Sequence, residues 1–151
     1  MAMVMSEAAT GGKRYKPYLV KDIIANDGSV IQHFDPVLVR DLGIDPTVAK
    51  LVQEGLHEVS TVGTAAAMFK DFPVPIAGKT GTAENSGRDH GWFVAYGPFD
   101  NPDIVVAVIV ENAGYGATSA VPIGYKILSA AFGLDKKPAE TNGQVPANNQ
   151  Q

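Results

Sequence analysis

Between residues 76 and 111 the chain passes through three β-prone stretches joined by turn-rich connections, and this block constrains the fold more than any other. The first stretch, Ile76 to Glu84, contains Lys79-Thr80-Gly81-Thr82. The second runs from Gly91 to Tyr96, and the third from Ile104 to Glu111. Pro98-Phe99-Asp100-Asn101-Pro102-Asp103, dense in turn residues, separates the last two. Ile104 to Val110 reads Ile-Val-Val-Ala-Val-Ile-Val, apolar on both faces, which predicts a central strand covered on each side. The expected core is therefore an antiparallel three-stranded sheet flanked by helices, an α+β architecture.

Helical signals surround that block. Asp45-Pro46 is an N-cap followed by proline at the first helical position. Val48, Leu51, Val52, Leu56 and Val59 then predict one buried stripe, ending before Gly63-Thr64-Ala65, read as a packed turn. A last helix starts near Pro122 and carries Ile123, Ile127, Ala130 and Ala131 before Gly133 closes it. Met1, Val4, Met5 and Ala8 share a helical face that stops at Gly11-Gly12, with no N-cap before it. A helix met without its start predicts that residues 1–134 begin partway through a longer domain. Asn26-Asp27-Gly28 between Tyr18–Ile24 and Ser29–Phe34 predicts a hairpin. Asp135 to Gln151, polar and rich in Pro, Asn and Gln, predicts a disordered tail.

Composition excludes several function classes. Twelve basic and sixteen acidic residues give a net charge of −4, and no basic run offers a nucleic-acid patch. The absence of cysteine removes disulfides and thiol catalysis. The longest apolar run falls far short of the roughly 20 residues that span a bilayer. His33, His57 and His90 are scattered without metal-ligand spacing, and Gly114-Tyr115-Gly116 is read as a flexible loop rather than a phosphate cradle. No metal or cofactor is expected.

The chemistry concentrates at Lys79, Thr80, Gly81 and Thr82. Strict strand alternation puts Lys79 and Gly81 on one face and Thr80 and Thr82 on the other. The cation and both hydroxyls can serve one ligand only along the strand's edge, where free backbone groups could also pair with an extended peptide. The plainer alternative is an exposed edge strand that Lys79 guards against aggregation. His90 could line the groove or fix a turn. Of Trp92 and Phe93, which alternate, one should pack in the core and the other could cover the site. Glu84 and Glu111 are isolated and read as solvated or capping residues.

Taken in order, these pieces resemble the C-terminal part of the transpeptidase domain of penicillin-binding proteins, most nearly the class B enzymes of cell elongation. The matching residues are Ala8-x-x-Gly11-Gly12-x-x-Tyr15-x-Pro17, Gly63-Thr64-Ala65, Gly78 to Glu84, His90-Gly91-Trp92-Phe93 to Gly97-Pro98, Pro102-Asp103-Ile104, Val110-Glu111-Asn112 and Ala120-Val121-Pro122-Ile123. The resemblance implies that Lys79 polarises the hydroxyl network around a nucleophilic serine and lies near the substrate carboxylate. It implies that Thr80 and Thr82 bind that carboxylate, and that the Thr82 backbone N–H is an oxyanion donor. In that family Lys-Thr-Gly works with a Ser-x-x-Lys nucleophile and a Ser-x-Asn element. Neither occurs in this chain, so the isolated chain is expected to be inactive and to expose the apolar face that would meet its missing helices. The implied partners are a peptidoglycan stem peptide, β-lactams, the upstream remainder of the domain and the elongation machinery, on the outer side of the bacterial cell membrane. A class D β-lactamase or β-lactam sensor, and a non-catalytic binding or assembly module, are the alternatives.

Overall fold

The computed structural model describes residues 1–135, and the tail expected from Asp135 lies, from residue 136 on, outside the described residues. The chain folds in the order α1 (Ala2–Ala9), β1 (Lys13–Tyr15), β2 (Asp22–Ile24), β3 (Val30–His33), β4 (Leu38–Asp41), α2 (Pro46–Thr61), α3 (Ala66–Phe69), β5 (Ala77–Ala83), β6 (His90–Gly97), β7 (Ile104–Val110), α4 (Gly116–Ser119) and α5 (Val121–Ala131). Strands β5, β6 and β7 form the expected antiparallel sheet. Its register is unbroken, from Ala77 opposite Tyr96 to Ala83 opposite His90, and from Gly91 opposite Val110 to Gly97 opposite Ile104.

The central strand is β6, which corrects the place expected for Ile104–Val110. That run is apolar on both faces because both faces of the sheet carry a core. On one face Phe93, Ala95, Val106 and Val108 pack with Phe69, Phe72, Ile76, Val121 and Leu128. On the other, Ala77, Val94 and Tyr96 pack with Met5 and Ala9 of α1, with Val105 alongside. Alternation along each strand sends successive side chains into these two clusters. Full burial of a side chain such as Phe93 contributes about 2–3 kcal/mol.

The helices obey their end signals but not all of their expected faces. Asp45 caps α2 by accepting from Thr47 N–H at 2.8 Å and Val48 N–H at 3.4 Å. Helix α1 closes with paired bonds, Gly12 N–H to Glu7 C=O at 2.7 Å and Gly11 N–H to Ala8 C=O at 3.3 Å. Both glycines have positive φ, as this closure requires. In α2, however, Val48, Leu51 and Val52 are exposed, and only the C-terminal half, around Leu56, Val59 and Ser60, reaches the core. In α1, Met5 and Ala9 are buried while Met1 and Val4 are exposed. The inner face of α5 consists of Val121, Gly124, Leu128 and Ser129, not the stripe Ile123–Ile127–Ala130–Ala131. Close approach selects it: a Cβ on Gly124 would sit 2.4 Å from Phe93 Cδ1. Small residues let the helix seat on the ring, and Ile123 and Ile127 are left half outside.

Residues 13–44 form an arm of two ribbons. The hairpin β2–β3 closes through Asp27, whose carboxylate accepts from Ser29 N–H at 2.9 Å and Ser29 Oγ at 2.6 Å. The pairing of β1 with β4 brings together short segments whose sequences carry no alternation. An Arg14–Glu7 ion pair ties β1 to α1. Arg14 donates to the Glu7 carboxylate and holds it below the usual carboxylate range.

Candidate active-site wall

Two backbone carbonyls fix which way strand β5 faces. Ile76 C=O accepts from Ser60 Oγ at 2.9 Å and meets His57 Nδ1 at 2.6 Å, both from α2, which lies beside the strand. Thr80 C=O accepts from Lys79 Nζ at 2.5 Å. Neither carbonyl points toward β6, so the even-numbered residues 76, 78, 80 and 82 turn their backbone groups to the outer edge. The N–H of Thr82 therefore faces that open edge, while the odd-numbered residues pair with β6.

The side chains divide as alternation requires. Thr80 lies on the face of Phe93 and is buried; its hydroxyl meets Thr64 Oγ1 at 2.6 Å. Thr82, on the same face, is exposed. With Thr64 as donor in that pair, the Thr80 proton remains available to an anion. A cleft of about 340 Å³ opens here, bounded by Thr64 on one side and Tyr115-Gly116-Ala117 on the other. Lys79 and Gly81 lie on the opposite face, where a cleft of about 320 Å³ includes Trp92 and Val94. Lys79, Thr80 and Gly81 line both clefts, which meet along the edge. Lys79 is exposed and has no carboxylate partner among the described residues. A cation, an exposed hydroxyl and an outward N–H thus border one groove that suits an extended, anionic ligand.

Other expected residues are placed as follows. Trp92 is half-buried beside Lys79, whereas Phe93 is wholly in the core. His90 Nδ1 accepts from Asn112 N–H at 2.9 Å and lines neither cleft. That bond pins the chain after β7, where Asn112 adopts φ 52° and its Oδ1 accepts from Asn85 Nδ2 at 2.8 Å. Glu84 and Glu111 are exposed. Of the loop expected at Gly114–Gly116, Tyr115 is exposed, whereas Gly116 opens α4 and packs closely: a Cβ on it would lie 2.2 Å from Trp92 O and 2.4 Å from Gly81 O. Thr64 and Tyr115 enter the site from outside the Lys-Thr-Gly strand. The only sequence signals for them are Gly63-Thr64-Ala65 and the paired glycines around Tyr115.

Comparison with known proteins assigns a family to this Lys-Thr-Gly strand and the helices around it. Residues 1–129 match the penicillin-binding protein transpeptidase domain, and the chain belongs to that family. It is 35% identical over 137 residues to the peptidoglycan D,D-transpeptidase MrdA of Haemophilus influenzae, covering 78% of this chain and 21% of MrdA. Among solved structures it resembles penicillin-binding protein A of Mycobacterium tuberculosis in its ceftriaxone acyl-enzyme complex. There the TM-score is 0.74 at 31% identity, covering 86% of this chain and 31% of that one. It also resembles Pseudomonas aeruginosa PBP2 in complex with WCK 5153, with a TM-score of 0.73 at 33% identity, covering 95% and 31%. The resemblance to class B elongation-type enzymes thus holds for the family and for MrdA and PBP2. The chain spans about a fifth of the length of the curated relatives it matches.

Proposed function

We propose that this chain supplies the Lys-Thr-Gly wall of a peptidoglycan D,D-transpeptidase of the class B, elongation type. The observation that carries the reading is the outward-turned edge Gly78–Thr80–Thr82, with the Lys79 ammonium beside it, free of any carboxylate among the described residues, and clefts on both faces. A stem peptide ending in a carboxylate would lie along that edge as an added strand. Lys79 and the hydroxyls of Thr80 and Thr82 would hold the carboxylate. The Thr82 N–H would donate to the oxyanion as the scissile carbonyl becomes tetrahedral, a fixed donor of a kind worth about 3–4 kcal/mol. β-Lactams would occupy the same groove.

The attacking serine is supplied from outside this sequence, since no Ser-x-x-Lys or Ser-x-Asn occurs in it. Residues 1–134 form the C-terminal portion of the domain, and alone they turn over no substrate. The parent protein acts at the outer face of the cell membrane with the elongation machinery. The lengths of the relatives and the MrdA and PBP2 matches support this reading. Among the described residues no helix is long and apolar enough to cross a membrane.

The test is labelling with a fluorescent penicillin, on this chain alone and mixed with the upstream half of a close relative's transpeptidase domain. Label on the upstream half, only in the mixture and abolished by Lys79→Ala, is the expected result. Stoichiometric label on this chain alone would overturn the reading.

A further inference from the structure

One rim of the cleft beside Thr80 and Thr82 is carried by the chain between β7 and α4, and that chain is fastened to the start of β6. Asn112 donates its N–H to His90 Nδ1 at 2.9 Å, and its Oδ1 accepts from Asn85 Nδ2 at 2.8 Å. Two residues on, Gly114 N–H donates to Asp89 C=O at 2.8 Å. Tyr115 and Gly116 follow directly, and both line the cleft.

The bond to His90 differs from the other two in its dependence on a proton. A backbone N–H can only donate, so His90 Nδ1 must accept. An imidazole nitrogen accepts only while it carries no proton, so the bonded ring is neutral, with its hydrogen on Nε2. Protonation would set an N–H on Nδ1 against the N–H of Asn112, and the bond has to break. The bonds at Asn85 and Asp89 use amide groups, which do not titrate. Asn112 also has a conformation to lose, because its φ of 52° lies in the left-handed region and its bonds to His90 and Asn85 hold it there.

His90 is half-buried, and no carboxylate lies within ion-pair reach of its ring among the described residues. The charged groups on the elements around it are Glu84 beyond β5, Arg88 and Asp89 before β6, and Glu111 beyond β7. Arg88 sets its guanidinium against Gly114, with Nε 3.3 Å from where a Cβ there would sit.

We propose that His90 is a positioning residue for the ligand cleft, which acts through Asn112 and holds the Tyr115–Gly116 rim only as the neutral imidazole. The rim is fully fastened above the range in which imidazoles titrate, about pH 5 to 8, and loosens as pH falls through it. The effect on ligands rests on the proposed function; the fastening itself does not.

The experiment has two arms. On this chain alone, nuclear magnetic resonance follows the His90 ring nitrogens and the amides of Asn112, Tyr115 and Gly116 from about pH 8 to 5. The expected result is a ring hydrogen on Nε2 at the upper end, and three amides that shift together with the ring. Amides that stay fixed while His90 titrates, or a hydrogen on Nδ1 at the upper end, would overturn the proposal. The second arm measures fluorescent-penicillin labelling rates in the mixture with the upstream half, as ratios between variants, so that titration outside this chain cancels. His90→Asn puts a non-titrating carbonyl oxygen near the place of Nδ1. It should match the unaltered chain at the upper end and label about three- to tenfold faster than it at the lower. His90→Leu offers no acceptor and should label about three- to tenfold slower than His90→Asn throughout. Equal rates for these two variants, or a ratio of His90→Asn to the unaltered chain that is constant with pH, would overturn the proposal. Absence of label in every mixture would overturn the proposed function and with it this role of His90, while the resonance arm would still report the fastening.

Discussion

The sheet β5–β7 and the ribbon arm of residues 13–44 are both antiparallel β-structure, yet different forces hold them. In the sheet, Phe93, Ala95, Tyr96 and Ile76 are essentially inaccessible, and two cores press on the two faces. In the arm, every residue of β3 and β4 is exposed, and Leu19, between the ribbons, is wholly in solvent. The arm keeps its shape by local chemistry: the Asp27–Ser29 turn, the Arg14–Glu7 pair and short backbone ladders. The same secondary structure is therefore a product of burial in one region and of turns and pairing in the other. Only the first gives the Lys-Thr-Gly strand a rigid frame.

That contrast sets an order of expected effects. Phe93→Ala should cost about 4 kcal/mol in urea unfolding, because it empties the centre of the larger core. Ile31, at the matching level of a strand but in the arm, is its control. A comparable loss at Ile31 would show that the arm is not held locally. Gly116→Ala should cost about 2–3 kcal/mol, since its Cβ meets backbone on both β5 and β6 and neither can yield easily. An unchanged melting temperature would mean that α4 can lift off the strand.

Among the described residues the Tyr96 hydroxyl is buried without a hydrogen-bond partner, and burial pushes the phenol up to about 12. A raised folded-state value means that the neutral phenol is the form the fold prefers. Stability linked to it is present below the ordinary phenol range near 10 and is lost as pH rises toward about 12. Melts between pH 9 and 12 should show that loss, and Tyr96→Phe should remove it while changing neutral-pH stability by less than about 1 kcal/mol. The smallest effect is reserved for the arm: Ile31→Ser should shift unfolding by no more than about 0.5 kcal/mol.

Much of this was legible in the residues, where a local rule had no competitor. Asp45-Pro46, Gly11-Gly12 and Asn26-Asp27-Gly28 each specify their own geometry and appear where expected. The Lys-Thr-Gly strand lies at an edge of the sheet, as both readings of its residues expected. Faces and neighbours were harder. On α5 the apolar residues alone do not reveal the packed face, because the Phe93 ring selects the side that carries Gly124. The run of β7 read as central because covering helices mimic the signature of strands on both sides. Thr64 and Tyr115 reach the site through long-range packing, with no spacing to betray them. The β1–β4 pairing unites three- and four-residue strands and leaves no periodic trace.

The double bond from α2 to Ile76 C=O works as a ruler. His57 and Ser60 occupy the outer edge where β5 begins, so a visiting strand has only the stretch from Gly78 to Thr82 on which to lie. Five residues of strand span roughly 17 Å, enough for the end of one peptide and too little to seed a growing sheet. On the proposed function, the helix that steadies this strand would also limit the length of peptide it could hold.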